Sequence, residues 1–460
     1  MLLSLYNNSD KYIAPDLVPK LIASAFVFFL ASYLIFFALQ IVLKEYDHYI
    51  MPIILTLNII GIAVIFRLGG PYIKQGISSI IGMIIFLAIT IIIKDYKTLA
   101  NYKYIFMLIS IILLIMPMIP FLGNNINGAT SWVTIFGVSM QPSEFSKIFL
   151  SIFFASYLFE NYEKLVNDGP KILGIQFPKI SDLGPIAVVW VISLAILVLQ
   201  HDLGTSLLLF GTFLAALYIA TGRISWIIIG MVMFSAGGYL AYLLFPHVGA
   251  RFDIWLNTFD PAVYDRAYGG SWQLVQGIFS LANGGITGTG FGNGYPQIVT
   301  FSDSDFIYSS IGEEFGLLGV VGILFLYLLL IERSFKTAIG VRDGFGKILA
   351  STLGFSSMLQ IFVVIGGITR VMPLTGMTLP FLAAGGSSLL ANWMLWGLIV
   401  SISNGAAKEG NAINNVASDE KVPAKAARSV TADAKSSGAA SSSSVVAPKK
   451  STKSRSVTSE

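Results

Sequence analysis

Hydrophobic residues in this chain come in long unbroken runs rather than in the short alternations of strands. Runs near 18–43, 49–66, 77–93, 103–122, 143–159, 184–200, 205–220, 224–245, 307–331, 346–367 and 380–403 are mostly apolar. Each approaches the roughly 20 residues an α-helix needs to cross a hydrocarbon core. Backbone in lipid must satisfy its own polar groups, so such runs predict helices. The expected fold is all-α, a polytopic membrane protein of about 10–12 transmembrane helices. It occupies 18–405, with a long external loop at about 246–305, after a short N-terminal segment 1–17. No basic stretch precedes an apolar core at the start, so the first helix is expected to stay in the membrane. From 406 to 460 the chain turns to Ala, Ser and Lys without periodicity and is expected to be a disordered tail. Its basic residues suit anionic lipid head groups, although solubilisation is the plainer role.

Composition narrows the class further. Of 460 residues 55% are hydrophobic and 12% charged, with mean hydropathy +0.75, far from soluble domains. With no Cys, disulfides, thiolate nucleophiles and Cys-ligated metals are excluded. His48, His201 and His247 are scattered and form no zinc or haem pattern. A net charge of +4 held in short loops and the tail points to bilayer orientation and away from nucleic acid. If the helices alternate, Lys94, Lys97, Lys103, Lys164, Lys171, Lys179, Arg333, Lys336, Arg342 and Lys347 share one side, which the positive-inside rule makes cytoplasmic. The N-terminus is then external and the C-terminus cytoplasmic. Every polar motif falls on the external side.

Four carboxylates, Asp303, Asp305, Glu313 and Glu314, crowd into FSDSDFIYSSIGEEFG at the start of an apolar run. A carboxylate at a membrane boundary is costly unless it faces water, a partner or a substrate. Glu144 and Lys147 stand three apart on a helix opened by Pro142. They form either a neutralising pair or the lining of a polar cavity in which Lys147 meets a phosphate. Trp132 suits an interfacial belt, Asp202 an N-cap, and the Gly204 and Gly211 pair close helix packing. In the long loop, Trp272, Val275, Ile278, Phe279 and Ala282 have the spacing of an amphipathic helix lying on the membrane, with Gln273 and Gln276 sharing a face. The following GGITGTGFGNG lacks the Lys of a P-loop and reads as a flexible turn. Finally, GGITRVMPLTGMTLPFLAAGGSSLL breaks a helix at membrane depth, which is tolerated only inside protein or beside a wet cavity. Arg370 there either contacts a pyrophosphate or snorkels to the interface.

Together SWVTIFGVSMQPSEFSK, Gln200 with DLGT, RFDIWLNTFDP to SWQLVQG, GTGFGNG, SDFIYSSIGEEFG, and PLTGMTLPF with GGSS resemble the SEDS family, the RodA and FtsW glycan polymerases of bacterial cell walls. The resemblance covers roughly Pro52 to Ser403. GGITR, SDF and the additional N-terminal helix are more similar to actinobacterial RodA-type members than to FtsW. His201 where Pro is common, Ala383-Ala384 for Ser-Tyr and Val364 for Asn depart from the pattern. The resemblance implies an inverting peptidoglycan glycosyltransferase that polymerises lipid II on the outer face of the cytoplasmic membrane, for elongation or division. A class B penicillin-binding protein is the implied partner. It places the catalytic base on Asp305 and substrate contacts on Trp132, Glu144 and Lys147. Arg251, Arg370, Gln273, Gln276, Ser387 and Ser388 complete the expected substrate-binding set. A divalent cation could share the leaving group's charge, but the sequence carries no metal cage. The competing expectations are a lipid II flippase, disfavoured because no inverted repeat is evident, and a non-catalytic scaffold for cell-wall enzymes.

Overall fold

The computed structural model describes residues 17–43, 45–126, 129–135, 137–167, 171–172, 175–176, 184–266 and 269–436. Lys179, all residues beyond 436 and the first 16 residues lie outside them. Every expected apolar run folds as a helix. In order these are α1 (Leu17–Val42), α2 (Ile50–Arg67), α3 (Tyr72–Ile92), α4 (Lys103–Ile115), α5 (Ser143–Glu160), α6 (Gly184–Leu199) and α7 (Leu203–Thr221). Then come α8 (Ser225–Leu244), α9 (Pro246–Leu256), α10 (Trp272–Gly284), α11 (Ile307–Gly340), α12 (Gly344–Ile368) and α13 (Gly386–Ser436).

Among the described residues, nine helices are long and apolar enough to span a membrane. The two other expected spans miss for different physical reasons. α6 has only 16 residues. α5 carries Glu144, Lys147 and several Ser, yet nearly all of it is buried because it packs against α4, α7 and α12. A helix enclosed by other helices does not need a lipid-compatible surface.

Two stretches are more ordered than their sequence suggested. The loop before α5 folds into an antiparallel sheet of β1 (Gly123–Ile126), β2 (Ala129–Ile135) and β3 (Val138–Met140), with Trp132 opposite Asn124 and Val133 opposite Met140. Its alternating side chains fit a two-residue repeat. Into the expected tail, α13 continues to Ser436. Ala, Lys and Glu are strong helix formers and sustain the helix locally. Compact packing divides the chain into Met1–Lys408 and Glu409–Glu460, and all that follows concerns the first unit.

The helix connections gather at two ends of that unit. At one end, Lys103 pairs with Glu160, Tyr96 donates to Asp343, and Arg333 meets Asp47 at 3.7 Å. At the other, the β2 amide of Thr130 donates to Gln200 O, Gln141 N to Ser387 Oγ, and Ala384 N to Asp303 O. The basic loops therefore collect opposite the polar motifs.

Candidate functional site

The segment Pro373–Thr378 is the hub of the polar end. It runs without regular structure between α12 and α13, so its carbonyls accept from side chains of α9 and α12. Arg251, on α9, donates from Nη1 to Leu374 O and Thr375 O at 3.1 and 3.0 Å. Gln360, on α12, donates to Thr378 O at 3.0 Å. Gly204, at the start of α7, lies so close that a Cβ there would come within 3.1 Å of Thr375 O. Gly376 adopts φ +71°, and a Cβ on it would stand 3.7 Å from Asp305 Oδ2.

Asp305 precedes α11 and is only partly accessible to solvent. Burial pushes its carboxyl up to about 6; Arg251 opposes the shift and Asp303 adds to it. The Arg251 guanidinium, itself drawn down by burial, is also held by the charges of Asp202 and Asp305. An acid–base carboxylate poised near neutrality beside a fixed cation is an arrangement suited to proton transfer next to an anionic ligand.

A second cluster reaches the hub through Gln360. Lys147 Nζ donates to Glu144 Oε2 at 2.6 Å and to Gln360 Oε1 at 2.8 Å, and its side chain is only 4% exposed. Both acceptors are internal, so Lys147 is tied to Glu144 and to the hub instead of projecting toward a ligand. Asp202 caps α7 through Thr205 N at 3.0 Å, and its other oxygen accepts from Gln141 Nε2 at 2.9 Å. Burial raises its pKa, its bonds from Thr205 and Gln141 oppose that, and the charge of Glu144 adds to the rise. Thus Asp202 is both the expected cap and a member of the site.

The remaining expected residues surround this centre. Arg370, at φ +62°, donates to Trp255 O at 3.2 Å and lies over the Phe259 ring, which fixes one loop to another. Gln273 donates to Thr300 O at 3.0 Å and Gln276 to Tyr264 OH at 3.5 Å. Ser387 Oγ accepts from Gln141 N, and Ser388 Oγ from Asn392. Trp132 is half-buried on β2. The helix bearing Gln273 and Gln276 forms as expected, but it buries Leu274, Val275, Gly277, Ser280 and Gly284 while Trp272 and Phe279 are exposed. Gly277 and Gly284 set that choice: Cβ atoms there would collide with Phe306 and with Gly312 O, at 2.5 and 1.9 Å. The helix is drawn onto α11 by its small residues.

Glu313 and Glu314 have internal partners. Glu313 accepts from Ser280 Oγ at 2.6 Å, Asn283 Nδ2 at 3.3 Å and Tyr295 N at 2.7 Å. Glu314 pairs with Arg67 at 3.0 Å. The glycine-rich turn is ordered on them: Thr289 N and Gly290 N donate to the carbonyls of Glu313 and Glu314. Gly316, at φ +67°, interrupts α11, and Leu317 N and Leu318 N instead donate to Gly285 O and Ile286 O.

An apolar groove of about 880 Å³ leads to this centre between α6, α7, α8 and α9. Trp190, Leu194, Leu207, Phe234 and Trp255 line it, and Arg251 stands among its few polar residues. Gln141, Asp202, Gln360 and Arg67 were not singled out as site residues by the sequence. A lone Gln inside a membrane helix was the available signal for Gln360.

These features define a polytopic membrane protein with a partly buried carboxylate, Asp305, under the charge of Arg251, which lines an apolar groove. Residues 49–408 match the family model described as "Cell cycle protein", covering FtsW, RodA and SpoVE. The chain belongs to that family. It is 41% identical over 373 residues to a protein of Mycobacterium bovis named peptidoglycan glycosyltransferase RodA, covering 78% of each chain. It is 31% identical over 378 residues to a probable peptidoglycan glycosyltransferase FtsW of Geobacter metallireducens, covering 78% of this chain and 95% of that one. The fold is similar to a chain in a solved peptidoglycan synthase complex concerned with polymerization and crosslinking, at TM-score 0.63 and 22% identity, covering 78% of this chain and 98% of that one. It is also similar to the rod shape determining protein RodA of Thermus thermophilus, at TM-score 0.53 and 22% identity, covering 78% and 96%.

Proposed function

We propose that this protein is a peptidoglycan glycosyltransferase that polymerises lipid II on the outer face of the cytoplasmic membrane. The observation that carries the reading is the apolar groove that reaches Arg251, whose charge acts on Asp305, since a lipid-linked sugar donor needs an apolar slot, a cation for its pyrophosphate and a base for its acceptor. The carrier chain occupies the groove and the pyrophosphate meets Arg251 through charge-assisted hydrogen bonds. Asp305 takes the proton from the 4-hydroxyl of the acceptor GlcNAc. That oxygen attacks C1 of the donor MurNAc, the C1–O bond to the pyrophosphate breaks, and C1 inverts. Undecaprenyl pyrophosphate leaves with the bonding electrons. Glu144, Lys147 and Gln360 act on this centre by fixing the hub segment.

Among the described residues no three His, Asp or Glu converge as a metal cage. A divalent cation sharing the leaving group's charge would therefore be held chiefly by the pyrophosphate, as Mg²⁺ commonly is. The likeness to the polymerization and crosslinking complex supports a class B penicillin-binding protein as partner. The site faces outward and the C-terminus inward because the basic loops share the opposite end.

The test is purified protein with its penicillin-binding partner and lipid II in liposomes. Wild type is expected to yield glycan polymer. Asp305→Ala is expected to lose about 10²- to 10⁴-fold in rate, the share a positioned base supplies. Polymer from Asp305→Ala at the wild-type rate would overturn the mechanism, and transfer of labelled lipid between leaflets without polymer would identify a flippase instead.

A further inference from the structure

Asp305 lies on the segment 295–306, a single 3₁₀ turn followed by irregular chain, which is tied at both ends and also through Thr300 O to Gln273 and Ser302 O to Ser310. At the far end, Ala384 N donates to Asp303 O at 2.9 Å. At the near end, Tyr295 N donates to Glu313, and Gly294 O accepts from Arg67 Nη2 at 2.9 Å. Arg67 is the last residue of α2, and its Nε lies 3.0 Å from Glu314 Oε1, with the two side chains 5% and 2% exposed. Glu314 also receives the Gly292 amide. One planar guanidinium therefore joins α2, α11 and the glycine-rich turn where the Asp305 segment begins. The turn after α2 then abuts the same segment, because a Cβ on Gly70 would stand 2.6 Å from Asp303 Oδ2 and 3.3 Å from Asp303 Cβ.

We infer that Arg67 is a positioning residue for Asp305, holding its segment in register with Arg251 and the hub through the shared contacts to Glu314 and Gly294. The inference rests on Asp305 being the base. Its physical basis is the divided guanidinium: Nη2 donates to the Gly294 carbonyl while the Nε side forms an ion pair with Glu314 at 3.0 Å, a division that a lysine ammonium does not reproduce in a fixed plane. Misplacement by about 1 Å is enough to cost roughly 10²-fold in rate.

The chain has no Cys, so an engineered pair can replace the clamp reversibly. The 3.3 Å Cβ separation between positions 70 and 303 is close to the disulfide range of about 3.5–4.5 Å. The experiment measures kcat, KM and thermal unfolding for wild type, R67K, R67Q, G70C/D303C and R67Q/G70C/D303C with lipid II, the Cys variants both oxidised and reduced. R67K is expected to keep its fold and to lose about tenfold in kcat at unchanged KM, and R67Q about 10- to 100-fold. The oxidised triple variant is expected to regain at least tenfold over its reduced form, with G70C/D303C giving the reference for the effect of the disulfide and of losing Asp303. A purely structural Arg67 would lower the unfolding temperature and leave kcat per folded molecule within about twofold of wild type, which would overturn the inference. A verified disulfide that restores no rate to R67Q would overturn it too. Asp305→Ala, run alongside, separates the two levels: if that variant remains active the base assignment fails, whatever Arg67 does.

Discussion

Burial raises the Asp305 carboxyl to about 6, with Arg251 lowering it and Asp303 raising it. In the proposed mechanism its ionised form is the base, so the rate should fall as pH drops through about 6 and level off above it. Removing Asp303's charge removes a contribution that raises the pKa, so Asp303→Asn should move this acidic limb to lower pH. Arg251→Gln removes one that lowers it and should move the limb upward, with a lower plateau if, as proposed, Arg251 is the cation that meets the pyrophosphate. A pH–rate profile of polymer formation checks both signs, and movement of either limb in the opposite direction contradicts the pairing. At this scale the sequence was legible where charge is expensive. Asp305, Glu144 and Lys147 stood out because membrane segments carry so few ions. Asp202 hid behind an adequate role as a helix cap, and Arg67 behind the end of a span, where a basic residue is ordinary. Their second contacts come from residues distant in sequence, which no local pattern reveals.

The helices themselves were legible from length and hydropathy, because a membrane leaves the backbone little alternative. What each helix faces was less so. α10 follows its glycines onto α11 and turns Phe279 outward; α5 sits inside the bundle although its sequence is the most polar of the expected spans. α8 is the reverse case, since most of its residues are exposed and its Gly237 and Gly238 line the groove with open space in front of them. Gly238→Leu would fill that space without disturbing the helix, because Leu is the better helix former. KM for the lipid-linked donor should rise by about 3- to 10-fold, the worth of one or two methylene-sized contacts, with kcat and unfolding temperature little changed. Steady-state kinetics at varied donor content would show it, and an unchanged KM would place the carrier elsewhere.

The basic loops and the candidate site gather at opposite ends, a pattern the loop Lys and Arg already implied. The absence of Cys makes the orientation easy to measure. In intact cells, an impermeant thiol reagent should label Asn293→Cys, exposed in the glycine-rich turn, and spare Lys94→Cys, exposed between α3 and α4. The opposite labelling would invert the topology. The groove has a further consequence, because it is walled by membrane helices and lined by apolar side chains. A substrate arriving there travels in the plane of the bilayer, so its effective concentration is a mole fraction among lipids and not a molarity in water. Supply to Asp305 then depends on how crowded that two-dimensional solvent is with other lipids. Any dilution of the membrane surface would slow the enzyme even when the total amount of substrate in the vessel is unchanged.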